Sequence, residues 1–436
     1  MSEIPQGALN RGAKLVGLPL SAAGRLTLGL GQRLMGRDRD EIAAAVQRKT
    51  AEQVFEVLGT LKGGAMKFGQ ALSVFEAALP EDQAAPYREA LAKLQSSAPP
   101  MEPAVVRRLM AEQLGTGWPS LFDDFDDTAA AAASIGQVHR AVWRDGRDVA
   151  VKLQYPGAAE ALTADLNQLG RLGRLFSPLL PGIEFRPLLA ELRERILEEI
   201  DYAAEAQHQR AFAHAYADSE EIFIGRVVAS APRLIVSEWV SGRPLGEIIV
   251  RGTRSERDEA GRLLSEFHFS APEVARLLHT DPHPGNFLIR PDGRLGVVDF
   301  GSVTRMPGGA PPIVGRLARL AIDGHTAEVI DGLRAEGFIP DGFEPNPEVL
   351  LNYLFPYLEP LRHTTFHFTR EWMQRLWQRM SDLSSEELKM ARRLNLPPSY
   401  LMIQRVTLGS IGVLSQLDAH APFRAIAERW QPGFAA

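Results

Sequence analysis

Three polar side chains carry most of the chemistry that this sequence suggests. Asp281 is followed five residues later by Asn286, and Asp299 begins the tripeptide Asp-Phe-Gly at residues 299–301. Carboxylate and amide oxygens are ligands that suit a hard cation such as Mg²⁺. The set therefore predicts a metal-assisted phosphoryl-transfer site, with Asp281 at the acceptor hydroxyl and with Asn286 and Asp299 as the metal ligands.

The same order and spacing of these residues occur in protein-kinase-like folds. Between the two metal ligands, apolar runs at 287–289 and 295–298 flank the turn signal Pro-Asp-Gly at 291–293, which predicts a β-hairpin that places both ligands side by side. An Asp-Phe-Gly alone is more often an accidental turn, and a His-x-Asp alone a surface pair. Their correct order across a predicted hairpin favours the catalytic interpretation.

A phosphate loop and a strand lysine are expected upstream of such a site. Residues 131–138 match the register of the kinase loop G-x-G-x-x-G-x-V with alanine at the first two glycine positions, and residues 149–152 match the strand pattern V-A-I-K. Lys152 is thus predicted to contact the α- and β-phosphates. The loop residues predicted to contact the nucleotide are Ala131, Ala132, Ala133, Ser134, Gly136 and Val138.

Glu205 is the predicted acidic partner of Lys152. The apolar spacing from residue 187 to about 217 predicts one helix, on which Asp201 and Glu205, four apart, share a face. Lys152 and Glu205 are farther apart in sequence than the matching residues of ordinary protein kinases, so an inserted segment must lie between them.

The segment 234–240 predicts a strand that ends in a hinge. Backbone groups of Glu238 and Val240 are predicted to hydrogen-bond adenine there. In the alternative interpretation, Glu238 and its neighbour Trp239 are plain residues at a strand edge.

An unusual helix is predicted near the N-terminus. Apolar residues between 54 and 79 recur in alternating steps of four and three, and Lys67 and Gln70 project together from an adjacent face. Gly69 is one of three glycines in this helix, and each costs roughly 1 kcal/mol relative to alanine. A helix that tolerates three glycines suggests that its backbone lies close to another surface. A weak amphipathic helix packed on the core is the alternative, and it accounts better for the apolar stripe itself.

Three motifs together resemble those of the UbiB (AarF-domain) family of atypical kinases. They are K-x-G-Q at 67–70, the alanine-rich loop at 131–134, and E-x-D at 199–201, within a resemblance that covers about residues 60–305. The resemblance implies an α+β, bilobal protein-kinase-like fold with an N-terminal helical extension whose K-x-G-Q segment lies across the active site.

The resemblance also implies a function and a regulatory contact. Family members bind ATP or ADP with Mg²⁺, support isoprenoid-quinone biosynthesis, and are associated with ATPase or small-molecule kinase activity. In this chain, Lys67, Gly69 and Gln70 would then meet the E-x-D pair of Glu199 and Asp201 as regulatory residues, while Glu205 pairs with Lys152.

The expected organisation has three parts. Residues 1–115 are predicted to form the N-terminal arm and extension, 116–240 the kinase-like N-lobe, and 241–436 the C-lobe. The acidic run at 123–127 is predicted to be a solvated linker into the first strand. Beyond residue 302 the sequence predicts a helical C-lobe.

Composition restricts the partners. The chain has no cysteine, which excludes disulfides and thiolate metal sites, and its net charge of −6 argues against general nucleic-acid binding. A small-molecule or lipid-like substrate and a cytoplasmic or peripheral membrane location are expected. Residues 4–36 are basic and leucine-rich without any acidic residue, and they predict a membrane-binding arm, a disordered tail or a docked helix.

Two other function classes stay open at this stage. A small-molecule kinase of the aminoglycoside or choline type is one, because residues 283–286 resemble the catalytic loop of that group, although it leaves the K-x-G-Q helix and the alanine loop unexplained. A scaffold that binds ATP without turnover is the other.

Overall fold

An antiparallel sheet with one helix on its face forms the first part of the structure. The structure is a computed structural model that describes residues 100–133, 135–158, 160, 200–382 and 384–435. The elements of this part are α1 (Pro103–Leu114), β1 (Phe122–Ala133), β2 (Gly136–Trp143), β3 (Asp148–Gln154), α2 (Tyr202–Ala215), β4 (Ile222–Ile224), β5 (Val227–Ala231) and β6 (Leu234–Glu238). The strand order of the sheet is β1-β2-β3-β6-β5.

Alternating apolar side chains place one face of this sheet under α1. Val149 and Val151 of β3 are fully buried together with Leu109 and Met110 of α1, so helix and strands share one apolar core. The helix therefore packs as part of the sheet region. Residues 103–114 were predicted to belong to the N-terminal extension of residues 1–115.

The acidic run at 123–127 lies inside β1, and its prediction as a linker is wrong. Phe125 pairs with Ala141 of β2, and the register of this strand pair shifts three times. Because β1 is the edge strand of the sheet, one of its sides faces solvent, and carboxylates are tolerated there.

The start of α2 is set by a cap. The side chain of Asp201 accepts a hydrogen bond of 2.9 Å from the backbone N–H of Ala204, and the helix begins at Tyr202. The prediction of one continuous helix through this point is therefore wrong, because Asp201 has a non-helical backbone and ends the continuity. Residues 187–199 lie outside the described part of the chain.

Helices dominate the second part of the structure, as predicted. Its elements are β7 (Arg243–Pro244), α3 (Leu245–Arg251), α4 (Arg254–Val274), β8 (Leu277–His279), β9 (Phe287–Ile289), β10 (Leu295–Val297), β11 (Val303–Arg305), α5 (Pro312–Asp323), α6 (Thr326–Ala335), α7 (Pro347–Arg362), β12 (Phe366–His367), α8 (Arg370–Ser381), α9 (Glu386–Ala391), α10 (Pro398–Leu417), β13 (His420–Ala421) and α11 (Phe423–Trp430). The mixed content of helices and strands confirms the predicted α+β class.

Two short strand pairs hold the segments predicted to carry the chemistry. Strands β9 and β10 pair antiparallel, with Leu295 opposite Ile289, which confirms the predicted hairpin. Strand β8 pairs with β11, with His279 opposite Val303. The segments on either side of these strands, which contain Asp281 and Asp299, are thereby brought together.

The long helix α4 forms the centre of this second part. It begins with a capping box between Thr253 and Glu256, and its inner face is buried against α10 and α11. Among the helices that the structure describes, none is long and apolar enough to cross a membrane.

Candidate active site

Lys152 lies where the sheet meets the helical part, between two carboxylates. Its Nζ atom is 2.6 Å from Oε1 of Glu205 on α2 and 3.3 Å from Oδ2 of Asp299. The Lys152 side chain is 17% exposed and that of Glu205 only 3% exposed. One ammonium group therefore joins strand β3, helix α2 and the Asp-Phe-Gly segment.

The charges of this cluster depend on each other. Burial lowers the pKa of Lys152, but the attraction of Asp299 and then of Glu205 outweighs burial, so the pKa lies above its ordinary value. Burial raises the pKa of the Glu205 carboxyl, and the nearby Lys152 ammonium opposes that rise. Removing Lys152 would leave the buried carboxylate of Glu205 without a counter-charge, whereas the pair of Lys152 and Glu205 stays balanced without Asp299.

Hydrogen bonds fix the segment of Asp281 against that of Asp299. Nε2 of His279 donates to the carbonyl oxygen of Asp299 at 2.7 Å, and the backbone N–H of Thr280 donates to the carbonyl oxygen of Ser302 at 3.0 Å. The loop that follows β8 is therefore positioned by the backbone beside the Asp-Phe-Gly segment.

Asn286 is oriented by the same loop. Its Nδ2 donates to the carbonyl oxygen of Asp281 at 3.0 Å, which leaves the amide oxygen as the atom that could bind a metal. In Asp299, Oδ1 accepts from the backbone N–H of Gly301 at 3.0 Å while Oδ2 faces Lys152.

The donor set fits Mg²⁺ that is shared with a nucleotide. Across the described residues, no group of three or more His, Cys, Asp or Glu side chains could hold a metal ion. Asn286 and Asp299 would thus supply only part of the oxygen shell. Phosphate oxygens and water usually complete such a shell around Mg²⁺ in phosphoryl-transfer sites.

The alanine-rich segment forms the end of a strand and a tight connection. Ala131, Ala132 and Ala133 are the last residues of β1, Ala133 pairs with Gly136 at the start of β2, and Val138 pairs with Lys152. The strand that follows the loop therefore lies directly beside the lysine strand. Ser134 lies outside the described residues.

Gly136 has a steric reason to be glycine. A Cβ atom at this position would overlap the carbonyl oxygen of Leu153 and would lie 2.9 Å from the hydroxyl of Tyr202. The close approach of β2 to β3 at the loop therefore depends on the missing side chain.

At the end of β6, the side chain of Glu238 has a structural role. Its carboxylate accepts from the backbone N–H of Arg226 at 3.1 Å and lies 3.2 Å from Nη1 of Arg147. The backbone N–H of Glu238 donates to the carbonyl oxygen of Arg226, so this N–H group is already engaged. The carbonyl of Glu238 and the backbone of Val240 remain the groups proposed for adenine.

Part of the predicted regulatory set cannot be placed. Lys67, Gly69, Gln70 and Glu199 lie outside the described residues, and Asp201 is the cap of α2. The contact between the K-x-G-Q and E-x-D motifs therefore stays a prediction.

Tyr202 was not identified from the sequence. It is 1% exposed, its hydroxyl has no hydrogen-bond partner within the described part of the chain, and its ring centroid lies 5.1 Å from Nζ of Lys152. Burial raises the pKa of its phenol. The available signal was its position three residues before Glu205, which places both side chains on one face of α2.

The sheet, the lysine–glutamate pair on β3 and α2, and the loop held against Asp-Phe-Gly define a protein-kinase-like fold. The sequence profile of the ABC1 atypical kinase-like domain matches residues 93–319, just over half of the chain. The chain therefore belongs to the ABC1, or UbiB (AarF-domain), family of atypical kinases, which confirms the resemblance drawn from its motifs.

Two animal proteins are similar to this chain in sequence. Atypical kinase coq-8, mitochondrial, of Caenorhabditis elegans is 29% identical over 339 residues, which cover 76% of this chain and 44% of that protein. AarF domain-containing protein kinase 1 of Mus musculus is 31% identical over 255 residues, which cover 56% and 46%. The chain thus spans less than half the length of these two curated relatives.

A solved structure matches over a larger share of the chain. It is described as the complex structure of Rv3197 and erythromycin from Mycobacterium tuberculosis, with 45% sequence identity and a TM-score of 0.71. The match covers 92% of this chain and 100% of the mycobacterial chain.

Proposed function

We propose that the chain is an ATP-binding, Mg²⁺-dependent atypical kinase or ATPase that acts on a small or lipid-like molecule. The observation that carries this proposal is the position of Lys152, whose ammonium lies between Glu205 and Asp299. A cation fixed at this junction suits the α- and β-phosphates of a nucleotide, and family membership supports the same ligand.

Each residue of the cluster has a role in this proposal. Lys152 orients the phosphates, and Glu205 holds Lys152 in place. Asp281 accepts the proton of the acceptor hydroxyl, or of water if ATP is hydrolysed. Asn286 and Asp299 hold Mg²⁺, which when bound would neutralise phosphate charge.

The substitution Asp299→Asn tests the nucleotide site. We expect it to abolish the rise in melting temperature that ATP with Mg²⁺ causes in the wild-type chain, because a metal-binding carboxylate is replaced by a neutral amide. Thermal-shift titration with ATP, with and without a chelator, is the measurement. Asp292→Asn is a matched control, since Asp292 is an exposed turn residue paired with Arg290 and Arg294. An undiminished shift in Asp299→Asn would exclude the assignment.

The substrate class is proposed from the family. We infer a role in isoprenoid-quinone or other prenyl-lipid metabolism, supported by the resemblance of the motifs and by the similarity to the nematode kinase coq-8. Comparison of the lipid extracts of a deletion strain and its parent would test it. Unchanged prenyl-lipid profiles would count against this substrate class while leaving ATP binding intact.

Macrolide binding is a second candidate function. The specific observation is the mycobacterial structure, described as an erythromycin complex and 45% identical to this chain. We propose that erythromycin binds this chain as well, which calorimetric titration would detect. The absence of saturable heat at high micromolar concentrations would reject this second function.

A further inference from the structure

A cavity lies in the helical part of the chain, away from Lys152. It occupies about 250 Å³ between α4, α5, α7, α10 and α11, and none of the proposed catalytic or metal-binding residues lines it. Its wall is predominantly apolar and includes Phe269, Val314, Leu361, Ile403, Leu414 and Phe434. A cavity of about 150 Å³ already holds a benzene molecule, so this one has room for a longer apolar group.

The wall of the cavity carries no formal charge. Among its described residues there is no lysine, arginine, aspartate or glutamate. Burial, and then the neighbouring His279, lowers the pKa of the lining residue His268 to about 3, so its imidazole is neutral near pH 7. A charged ligand group would lose its hydration here without gaining a counter-charge.

Two hydroxyl oxygens in the wall can accept a hydrogen bond from a ligand. The hydroxyl of Ser265 donates to the carbonyl oxygen of Gly261 at 3.0 Å, and that of Thr407 donates to the carbonyl oxygen of Ile403 at 2.8 Å. Both hydroxyl protons are therefore used, while both oxygens keep the capacity to accept. A ligand hydroxyl could donate to the buried oxygen of Ser265 or to that of Thr407, whose side chain is exposed.

We propose that this cavity binds a neutral, single-chain aliphatic alcohol, with its chain along the apolar wall and its hydroxyl donating to Ser265 or Thr407. The site goes beyond the proposed nucleotide chemistry and does not depend on it.

The cavity also adjoins the loop that carries Asp281. Leu278, one of its lining residues, belongs to β8, which leads directly into that loop. Gly409 on α10 packs so closely on Pro282 that a Cβ atom would overlap the proline ring. A bound alcohol would therefore contact the elements that support the proposed catalytic loop.

Calorimetric titration of the full chain with 1-alkanols of six to ten carbons tests the proposal. Because each buried methylene contributes about 0.8 kcal/mol, affinity should rise roughly three- to four-fold per carbon and then level off when the cavity is full. Octanoate, the charged counterpart of 1-octanol, should bind at least ten-fold more weakly.

Matched variants locate the binding. Ala318 lines the cavity, so Ala318→Phe should weaken 1-octanol binding at least ten-fold, whereas Ala425→Phe on the exposed face of α11 should leave it unchanged. Thr407→Val keeps the size of the side chain and removes an acceptor. If Thr407 accepts from the ligand, this change should reduce the preference for 1-octanol over octane. Ser265→Ala is the corresponding change at the other oxygen.

The outcomes separate this proposal from that of the nucleotide site. The thermal shift by ATP with Mg²⁺, measured on each variant, reports folding and nucleotide binding independently of the alcohol. No saturable binding to the full chain would overturn the proposal, including the case in which a segment outside the described residues fills the cavity. Equal affinities for octanoate and 1-octanol, or for Ala318→Phe and wild type, would overturn it as well.

Discussion

Lys152 balances two carboxylates with one positive charge, which leaves the cluster with a net negative charge when all three groups are ionised. The carboxylate of Glu205 is almost fully buried and that of Asp299 is 27% exposed, so water reaches Asp299 more readily. Asp299 is consequently the better placed of the two to attract a divalent cation. The residue geometry thus gives Glu205 and Asp299 different roles, although both contact the same ammonium.

A buried histidine makes stability depend on pH. His268 is 7% exposed, and its pKa in the folded chain is lowered to about 3. Below about pH 6.5 the histidine is therefore protonated in the unfolded chain but stays neutral in the folded chain. The stability that the folded chain gains from keeping His268 neutral is fully present above about pH 6.5 and is lost as the pH falls towards 3. We expect the free energy of unfolding to fall by about 2 kcal/mol between pH 7 and pH 5 through this residue.

Denaturant unfolding of His268→Leu at both pH values measures this effect. The variant should lose about 2 kcal/mol less than wild type over the interval, whatever its stability at pH 7. His363→Leu serves as the control, because it makes the same replacement at an exposed histidine. The same slope in His268→Leu and wild type would contradict the prediction.

At the scale of elements, the connection between β1 and β2 depends on close backbone packing. Replacing Gly136 with alanine forces a methyl group against the carbonyl of Leu153, and overpacking of this kind costs about 1–3 kcal/mol. We expect Gly136→Ala to lower the free energy of unfolding by that amount and to weaken nucleotide binding, because the loop must move away from β3.

Gly246→Ala is the matched control for this change. No heavy atom lies within 4 Å of a Cβ atom at Gly246, and the residue is inside α3, where alanine is favoured over glycine by about 0.5–1 kcal/mol. The two substitutions should therefore change stability in opposite directions, as measured by chemical denaturation. A stable Gly136→Ala chain with unchanged nucleotide affinity would show that the loop tolerates the side chain.

Elements with a local signature could be predicted from the sequence. The hairpin of β9 and β10 has apolar runs around a Pro-Asp-Gly turn, and strand β3 has four apolar residues around its lysine. The first half of strand β1 was missed because acidic residues usually indicate a loop, and only the place of the strand at the sheet edge makes them acceptable. Tyr202 was missed because its importance arises from burial beside Lys152, whereas its spacing from Glu205 indicates only a shared helix face.

At the scale of the whole molecule, we propose a peripheral membrane contact through residues 4–36. This segment combines basic residues with leucines and lies outside the described part of the structure. Sedimentation with anionic liposomes should fall when the segment is deleted and should weaken with added salt, because the Debye length shortens to about 8 Å at physiological ionic strength. Equal sedimentation of the full and the shortened chain would rule out this segment as the anchor.

The ion contacts of Lys152 join segments that are far apart in the sequence. Lys152 and Glu205 are 53 positions apart, and Lys152 and Asp299 are 147 apart, so both contacts close long loops. Helices such as α4 form through local contacts, which generally precede such long-range pairing. A nascent chain that has not yet reached residue 299 lacks one carboxylate of the cluster. The proposed nucleotide site can therefore be complete only after residue 299 has been synthesised, and a ligand bound there would stabilise complete chains in preference to shorter ones.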